Sequence, residues 1–268
     1  MRAHANCYVV MLLALAGCDD GSLQRVQSAP ALRVGYAVEA AYALLDARVE
    51  VSGESAEVAR RLASTLGMQR VEWVQAGFDC LIPDLLDRRF DVIAAGLFVT
   101  PERAARVRFS RPTLHVGQGL LVLRGNPRRV QPFAELSPRT AAKIAVIAGA
   151  VEETRLRARG LAAASLVIVP DALAGRAAVA QGHADAFALS LPTVRWMATQ
   201  MPEQFEVVAQ PESERRDAVA FAFHPQDASL AQAWDAAEAR FVGSPEHLAI
   251  LARFEFDPAD VSGEAASP

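Results

Sequence analysis

Short apolar runs alternate with amphipathic stretches from residue 32 almost to the end of the chain, and this alternation predicts a parallel α/β architecture. Strands are expected at 32–37, 71–75, 91–95, 120–123, 143–147, 166–169, 184–188 and 218–223. Helices are expected at 55–66, 81–86, 151–159, 172–181, 191–199, 230–242 and 246–254, with a short one starting at Pro101. The stretch 55–66 illustrates the reasoning. Val58, Leu62 and Leu66 fall on one helical face, and Gly67 is placed to end the helix. Thr100 followed by Pro101 is a cap followed by the residue best tolerated at a helix's first position, and Ser244-Pro245 repeats the device.

The two halves echo each other. The stretch 89–96 (RFDVIAAG) and the stretch 183–190 (HADAFALS) each put a charged, small and apolar strand after a helix. Two similar lobes follow, with lobe 1 at 31–116 plus 218–257 and lobe 2 at 117–217, and hinges near 113–118 and 213–219. Ligands of open α/β sheets bind beyond the carboxyl ends of the strands, so the gap between the lobes is the expected site.

The termini change the picture. Arg2 and the apolar run 8–16 have the layout of an export leader, too short for the ~20 apolar residues that span a bilayer. Leu15-Ala16-Gly17-Cys18 reads as a lipoprotein signal, in which 1–17 is removed and Cys18 carries the lipid. Residues 18–30 are expected to be a flexible tether and 258–268 a flexible tail. With Cys7 and Cys18 assigned to the leader and the anchor, Cys80 is left as a buried helix thiol, and no disulfide is expected. The net charge of −4 is evenly mixed and contains no basic run, which argues against a nucleic-acid partner.

Arg103 lies in the first turn of the helix capped by Thr100. A guanidinium there, beside first-turn amides, matches a carboxylate. Phe78 and Phe98 follow the second and third strands, and Tyr42 follows the first by a few residues, so the three rings are placed to line one cleft and attract a cation. Glu39, also after the first strand, suits a cationic or amidinium group. Asp91 and Asp185 read as structural residues at strand starts. His115, His183, His224 and His247 show no metal spacing, and no nucleotide-binding or nucleophile motif occurs.

These residues carry a family resemblance. From Leu32 to about Phe254 the chain resembles the family 3 solute-binding proteins that serve ABC importers. The marks are Phe78 with Leu81-Ile82-Pro83, Asp91 through Gly96, Thr100-Pro101-Glu102-Arg103, Phe109-Ser110 with Pro112, Gly149, and Gly182 through Ala186. The resemblance implies a two-lobed, type II periplasmic-binding-protein-like fold with a hinge and interlobe cleft. It also implies carboxylate binding by Arg103 and a covering ring at Phe78. Family members often carry a hydroxyl residue where Phe98 and Ala150 stand, and an ammonium-binding aspartate where Ser190 stands. The missing acid argues against a simple α-amino acid, because a buried unpaired ammonium is costly.

Gly35 through Tyr42, Gly53 through Arg60, Phe90 through Phe98, and Ala148 through Glu152 are closer to the ectoine and hydroxyectoine receptors. By that likeness Tyr42, Phe78 and Phe98 form an aromatic box, Glu39 takes the amidinium and Arg103 the carboxylate. Thr100, Gly149, Ala150 and Ser190 complete the expected site. Val38, Ala41 and a shortened 43–51 stretch depart from the pattern. The function expected is a lipid-anchored, monomeric receptor without cofactor, on the periplasmic side of a bacterial membrane. It would deliver a small zwitterion to a membrane permease. The alternatives are a sensory or accessory ligand-binding protein, or a cyclic-acid dehydratase using Glu39 or Glu152 as its acid.

Overall fold

The computed structural model describes residues 20–208 and 216–262. The expected leader, Cys18, the stretch 263–268 and the 213–215 part of the second hinge lie outside the described residues. The chain begins with α1 (Ser22–Ser28), β1 (Leu32–Tyr36), a hairpin of β2 (Leu44–Leu45) and β3 (Val51–Ser52), α2 (Glu54–Thr65) and β4 (Val71–Gln75). It continues with α3 (Leu81–Leu86), β5 (Val92–Ile93), α4 (Pro101–Ala104), β6 (Arg108–Phe109) and β7 (Leu114–Val116). The second half holds β8 (Gln118–Leu123), β9 (Ile144–Ile147), α5 (Val151–Ala158), β10 (Leu166–Val169), α6 (Ala172–Ala180), β11 (Ala186–Ser190), α7 (Leu191–Gln200) and β12 (Phe205–Val207). Then come β13 (Asp217–Val219), β14 (Ala222–Phe223), α8 (Ala228–Phe241), α9 (Pro245–Arg253) and α10 (Ala259–Ser262).

The strands form two five-stranded sheets of the same design, ordered β4-β1-β5-β14-β6 and β10-β9-β11-β8-β12. In each, three parallel strands are followed by two joined antiparallel. Both faces of both sheets are buried, as parallel strands require. Leu32, Val34 and Phe223 pack on Val58, Leu62 and Trp234 on one face of the first sheet, and Ile93 packs on Leu81 and Leu85 on the other. In the second sheet Phe187 packs on Val179 and Val194, and Val146 packs on Leu156 and Phe133. Between the sheets, β7 and β13 pair antiparallel, with Ala218 opposite His115, and Gly117 alone separates β7 from β8.

The internal echo has a structural cause. Asp91 and Asp185 each accept the backbone N–H that starts the neighbouring parallel strand, from Arg33 at 3.1 Å and from Lys143 at 2.8 Å.

Four expectations are corrected. Residues 22–28 of the expected tether are α1, which buries Val26 in the first core and sends Arg25 to Asp91 and Asp227, each at 2.9 Å. Within the expected tail, α10 is held by an ion pair from Arg216 to Asp260. Cys80 is exposed, because it ends a tight turn ahead of α3 whose inward positions go to Leu81 and Leu85. The strand expected at 218–223 breaks in two, since β13 pairs in the interlobe ribbon whereas β14 pairs in the first sheet.

Candidate functional site

Every wall of the site is the segment that leaves the carboxyl end of a parallel strand. From the first lobe come Glu39 after β1, Phe78 after β4, and Phe98 to Arg103 after β5; from the second come Gly149 to Ala150 after β9, Asp171 after β10, and Ser190 to Thr193 from the last residue of β11 onward. Ala37, Glu39, Gly77 and Phe78 face Ile147, Pro170 and Asp171 across a cleft of about 340 Å³.

Arg103 is placed as its helix start predicts. Thr100 Oγ1 accepts from the Arg103 amide at 3.3 Å, so the cap that starts α4 also orients the arginine. The guanidinium donates to the Phe98 carbonyl at 2.9 Å and, across the cleft, to the Gly149 carbonyl at 3.1 Å. It lies over the Phe78 ring, 5.6 Å from the centroid. Burial pulls its pKa down, while the charges of Glu152 and Glu39 support the protonated form.

Glu39 is 4% exposed and accepts from Thr193 Oγ1 at 2.9 Å and, more loosely, from Ser190 Oγ at 3.5 Å. Ser190 in turn donates to Thr193 at 2.9 Å. Burial, reinforced by the charge of Glu152, raises the Glu39 carboxyl to about 8 against the pull of these hydroxyls and Arg103. Glu39 of the first lobe thus stands next to the Ser190 hydroxyl of the second. Glu152, 2% exposed at the start of α5, is raised to about 7 by burial.

The three expected box residues separate. Phe78 is half-buried and lines the cleft. Tyr42 is fully buried, edge-on to Phe256 at 5.1 Å, and Phe98 is 5% exposed. Both belong to an apolar cluster with Leu114 and Val219 that also takes Val151 and, at its edge, Trp196 from the second lobe. Gly96 makes room for Tyr42: its φ is +62°, and a Cβ there would sit 2.5 Å from the ring. Gly149, at φ +75°, lets Asp79 approach to 3.1 Å from where a Cβ would stand. Ala150 is buried as the N-cap of α5.

Sequence reasoning passed over Thr193. A hydroxyl three residues after Ser190, at the mouth of an apolar strand, was the available signal. Among the described residues no helix is long and apolar enough to cross a membrane, and no three His, Cys, Asp or Glu side chains gather as a metal site.

Residues 32–256 match the model of the bacterial extracellular solute-binding proteins, family 3. The chain belongs to that family. Among its relatives, a probable amino-acid ABC transporter periplasmic-binding protein of Sinorhizobium fredii is 29% identical over 248 residues, 90% of this chain and 82% of its own. The structure of EhuB in complex with hydroxyectoine is 26% identical, covers 92% of this chain and 96% of that one, and superimposes with a TM-score of 0.83. A cyclohexadienyl dehydratase of Pseudomonas aeruginosa is 28% identical over 182 residues, 67% of this chain and 66% of its own. This family 3 protein therefore has the two-lobed type II periplasmic-binding fold, and membership implies a small ligand and an ABC permease in the membrane.

Proposed function

We propose that this protein is the lipid-anchored receptor of an ABC importer for a small zwitterion, an ectoine- or hydroxyectoine-like solute or an amino acid. Arg103 carries the reading: a guanidinium at the cleft, reaching both lobes and backed by the Phe78 ring. Its fork matches a ligand carboxylate, which would replace the carbonyls it now holds. Phe78 covers the ligand from the first lobe. Glu39 takes the cationic group, with Thr193 and Ser190 completing its hydrogen bonds. Tyr42 and Phe98 form the packed floor behind them. Lobe 1 binds first and lobe 2 closes through the ribbon of β7 and β13, with Gly149 and Ala150 brought against the ligand. The closed surface is what the permease reads. Anchoring through Cys18 holds the receptor at the periplasmic face, and replacing Cys18 with Ala should release the protein from the membrane fraction.

Calorimetry with ectoine, hydroxyectoine, proline, betaine and polar amino acids tests the reading. One of them should bind, and Arg103→Ala should abolish that binding while leaving the thermal melt cooperative. Retained affinity in Arg103→Ala would remove the carboxylate role.

A second reading has one observation in its favour. Two buried carboxyls raised toward neutrality, Glu39 to about 8 and Glu152 to about 7, are what acid-catalysed loss of water needs. Under that reading a cyclic hydroxy acid incubated with the protein loses the mass of one water. Under the receptor reading it is recovered unchanged.

A further inference from the structure

We propose that the end of the first lobe that carries α1 lies against the phospholipid headgroups of the membrane. The chain leaves almost no slack between Cys18 and the folded body, so the anchor sets the receptor's orientation as well as its location. This deepens the receptor reading, on whose lipid-bearing Cys18 it rests.

The starting observation is that the chain is bound to the body from Asp20 onward. Asp20 accepts from the Ser229 amide at 3.0 Å, from the Ser229 hydroxyl at 2.7 Å and from the Ser22 amide at 2.8 Å. From there α1 crosses the end of the lobe. Ser22 meets Ser229 at the start of α8, at 3.0 Å. Arg25 reaches Asp91 ahead of β5 and Asp227 ahead of α8, and Gln27 donates to the Leu66 carbonyl just after α2, at 2.8 Å. Val26, 2% exposed, sits in the core beneath. Cys18 precedes Asp20 by two residues. A chain spans at most about 3.6 Å per residue, so a lipid on Cys18 is held within about 7 Å of a residue bound to lobe 1. Acyl chains inserted in a bilayer then bring this end of the lobe to the headgroups. The sheet orients the rest. The parallel strands β1, β4 and β5 all start at this end and finish at the cleft, so the cleft opens away from the bilayer.

The chemistry of this surface suits headgroups. No acidic residue occurs in α1, and its exposed positions are Gln24, Arg25, Gln27 and Ser28. Arg25 is 43% exposed, whereas the two carboxylates it binds, Asp91 and Asp227, are 3% and 4% exposed beneath it. Arg33 and Arg88 share these acids and are 36% and 37% exposed. Among the described residues, the exposed acids around this end are Asp20, Glu72 and Asp87, and the exposed Arg70 and Arg89 each stand two residues from one of them. The outer layer is thus polar and richer in guanidinium than in carboxylate. Guanidinium pairs with phosphate oxygens, and each cation near an anionic leaflet strengthens the contact.

Energy transfer to the bilayer tests this. The mature, lipidated protein is placed in phosphatidylethanolamine–phosphatidylglycerol vesicles that carry an acceptor dye on a lipid headgroup. A donor dye is attached at one of two positions. The first is the native Cys80, exposed beyond the end of β4 and so at the cleft end. The second is Gln226→Cys in a Cys80→Ser background, exposed at the α1 end just ahead of Asp227. The five residues of β1 alone put about 17 Å between the two ends, so transfer should be about two-fold or more stronger from position 226 than from position 80. A spacer of about twenty Gly and Ser residues inserted between Asp19 and Asp20 gives a reach of about 25 Å and should erase that difference. Equal or stronger transfer from position 80 without the spacer overturns the inference and leaves the receptor reading standing. A difference that survives the spacer overturns the short link as its cause. A mature protein whose mass shows no lipid on Cys18 overturns the anchoring, and this inference with it.

Discussion

At the scale of single residues, the site is a set of buried acids held by hydroxyls and one arginine. Thr193 is the residue whose removal tests that network. Thr193→Val keeps the shape but removes the hydroxyl that Glu39 accepts from and Ser190 donates to. Thermal or urea denaturation should show a loss of about 1–3 kcal/mol, the cost of leaving a buried polar group unpaired. The buried acids also fix the sign of the pH dependence. Glu39 and Glu238 are raised to about 8, and Glu54 and Glu152 to about 7, in each case chiefly by burial, from ordinary values of 4.5. The folded state therefore holds protons that the unfolded chain releases. Their contribution is full below 4.5, erodes as the pH rises and is lost once it has passed the folded values. Above the ordinary histidine value, where the lowered His247 no longer opposes the trend, stability to urea should fall from about pH 6.5 to about pH 8, less steeply in Glu39→Gln. A stability that climbs over that range would contradict the burial of these groups. Arg103, Thr100 and Phe78 were legible in the sequence because cap, helix start and strand end are local features. Thr193 and the exposure of Cys80 were not, because each depends on which side of a short segment meets a neighbouring element.

At the scale of elements, two short helices do more than their length suggests. α4 is four residues long and survives because Thr100 caps it and Pro101 fixes its first turn; its effect is to aim Arg103. α1 went unread because seven residues carry too little periodicity to stand out, with Leu23 and Val26 as its apolar pair. It is held by partners far along the chain: Asp91 and Asp227 through Arg25, and Ser229 through Asp20 and Ser22. Arg25→Ala should cost about 1 kcal/mol in a thermal or urea melt. That is below a fully buried pair, because Arg25 is partly exposed, Asp91 keeps Arg33 and Asp227 keeps Arg88. The longer helices and the strand at 166–169 were legible to within a residue or two, because burial on a fixed face writes a period into the sequence.

At the scale of the whole molecule, the lobes are drawn together by bonds that cross the cleft, from Arg103 to Gly149 and from Thr193 to Glu39. Gly149 is where closure leaves least room. A side chain there meets both a left-handed backbone and the Asp79 segment of the other lobe. Gly149→Val should therefore weaken ligand binding by about ten-fold or more, through strain of about 1 kcal/mol plus a blocked approach. In small-angle scattering the liganded variant should keep the larger radius of its empty form. Full affinity with normal compaction would mean that the lobes close elsewhere.

The sequence alone determined the repeated α/β unit, because strand and helix periods and caps are local consequences of burial and backbone geometry. It also determined that aromatics, an arginine and an acid follow successive strand ends. The tertiary structure decided which of those groups share one space. Tyr42 and Phe98 turn into a packed seam, Glu39 crosses to the hydroxyls of the second lobe, and Glu152 is left with one buried carboxylate oxygen that no hydrogen bond reaches. Contacts such as Glu39 with Thr193 and Tyr42 with Phe256 join residues more than a hundred positions apart, and no local pattern encodes them, since they arise only when distant elements of the fold face each other.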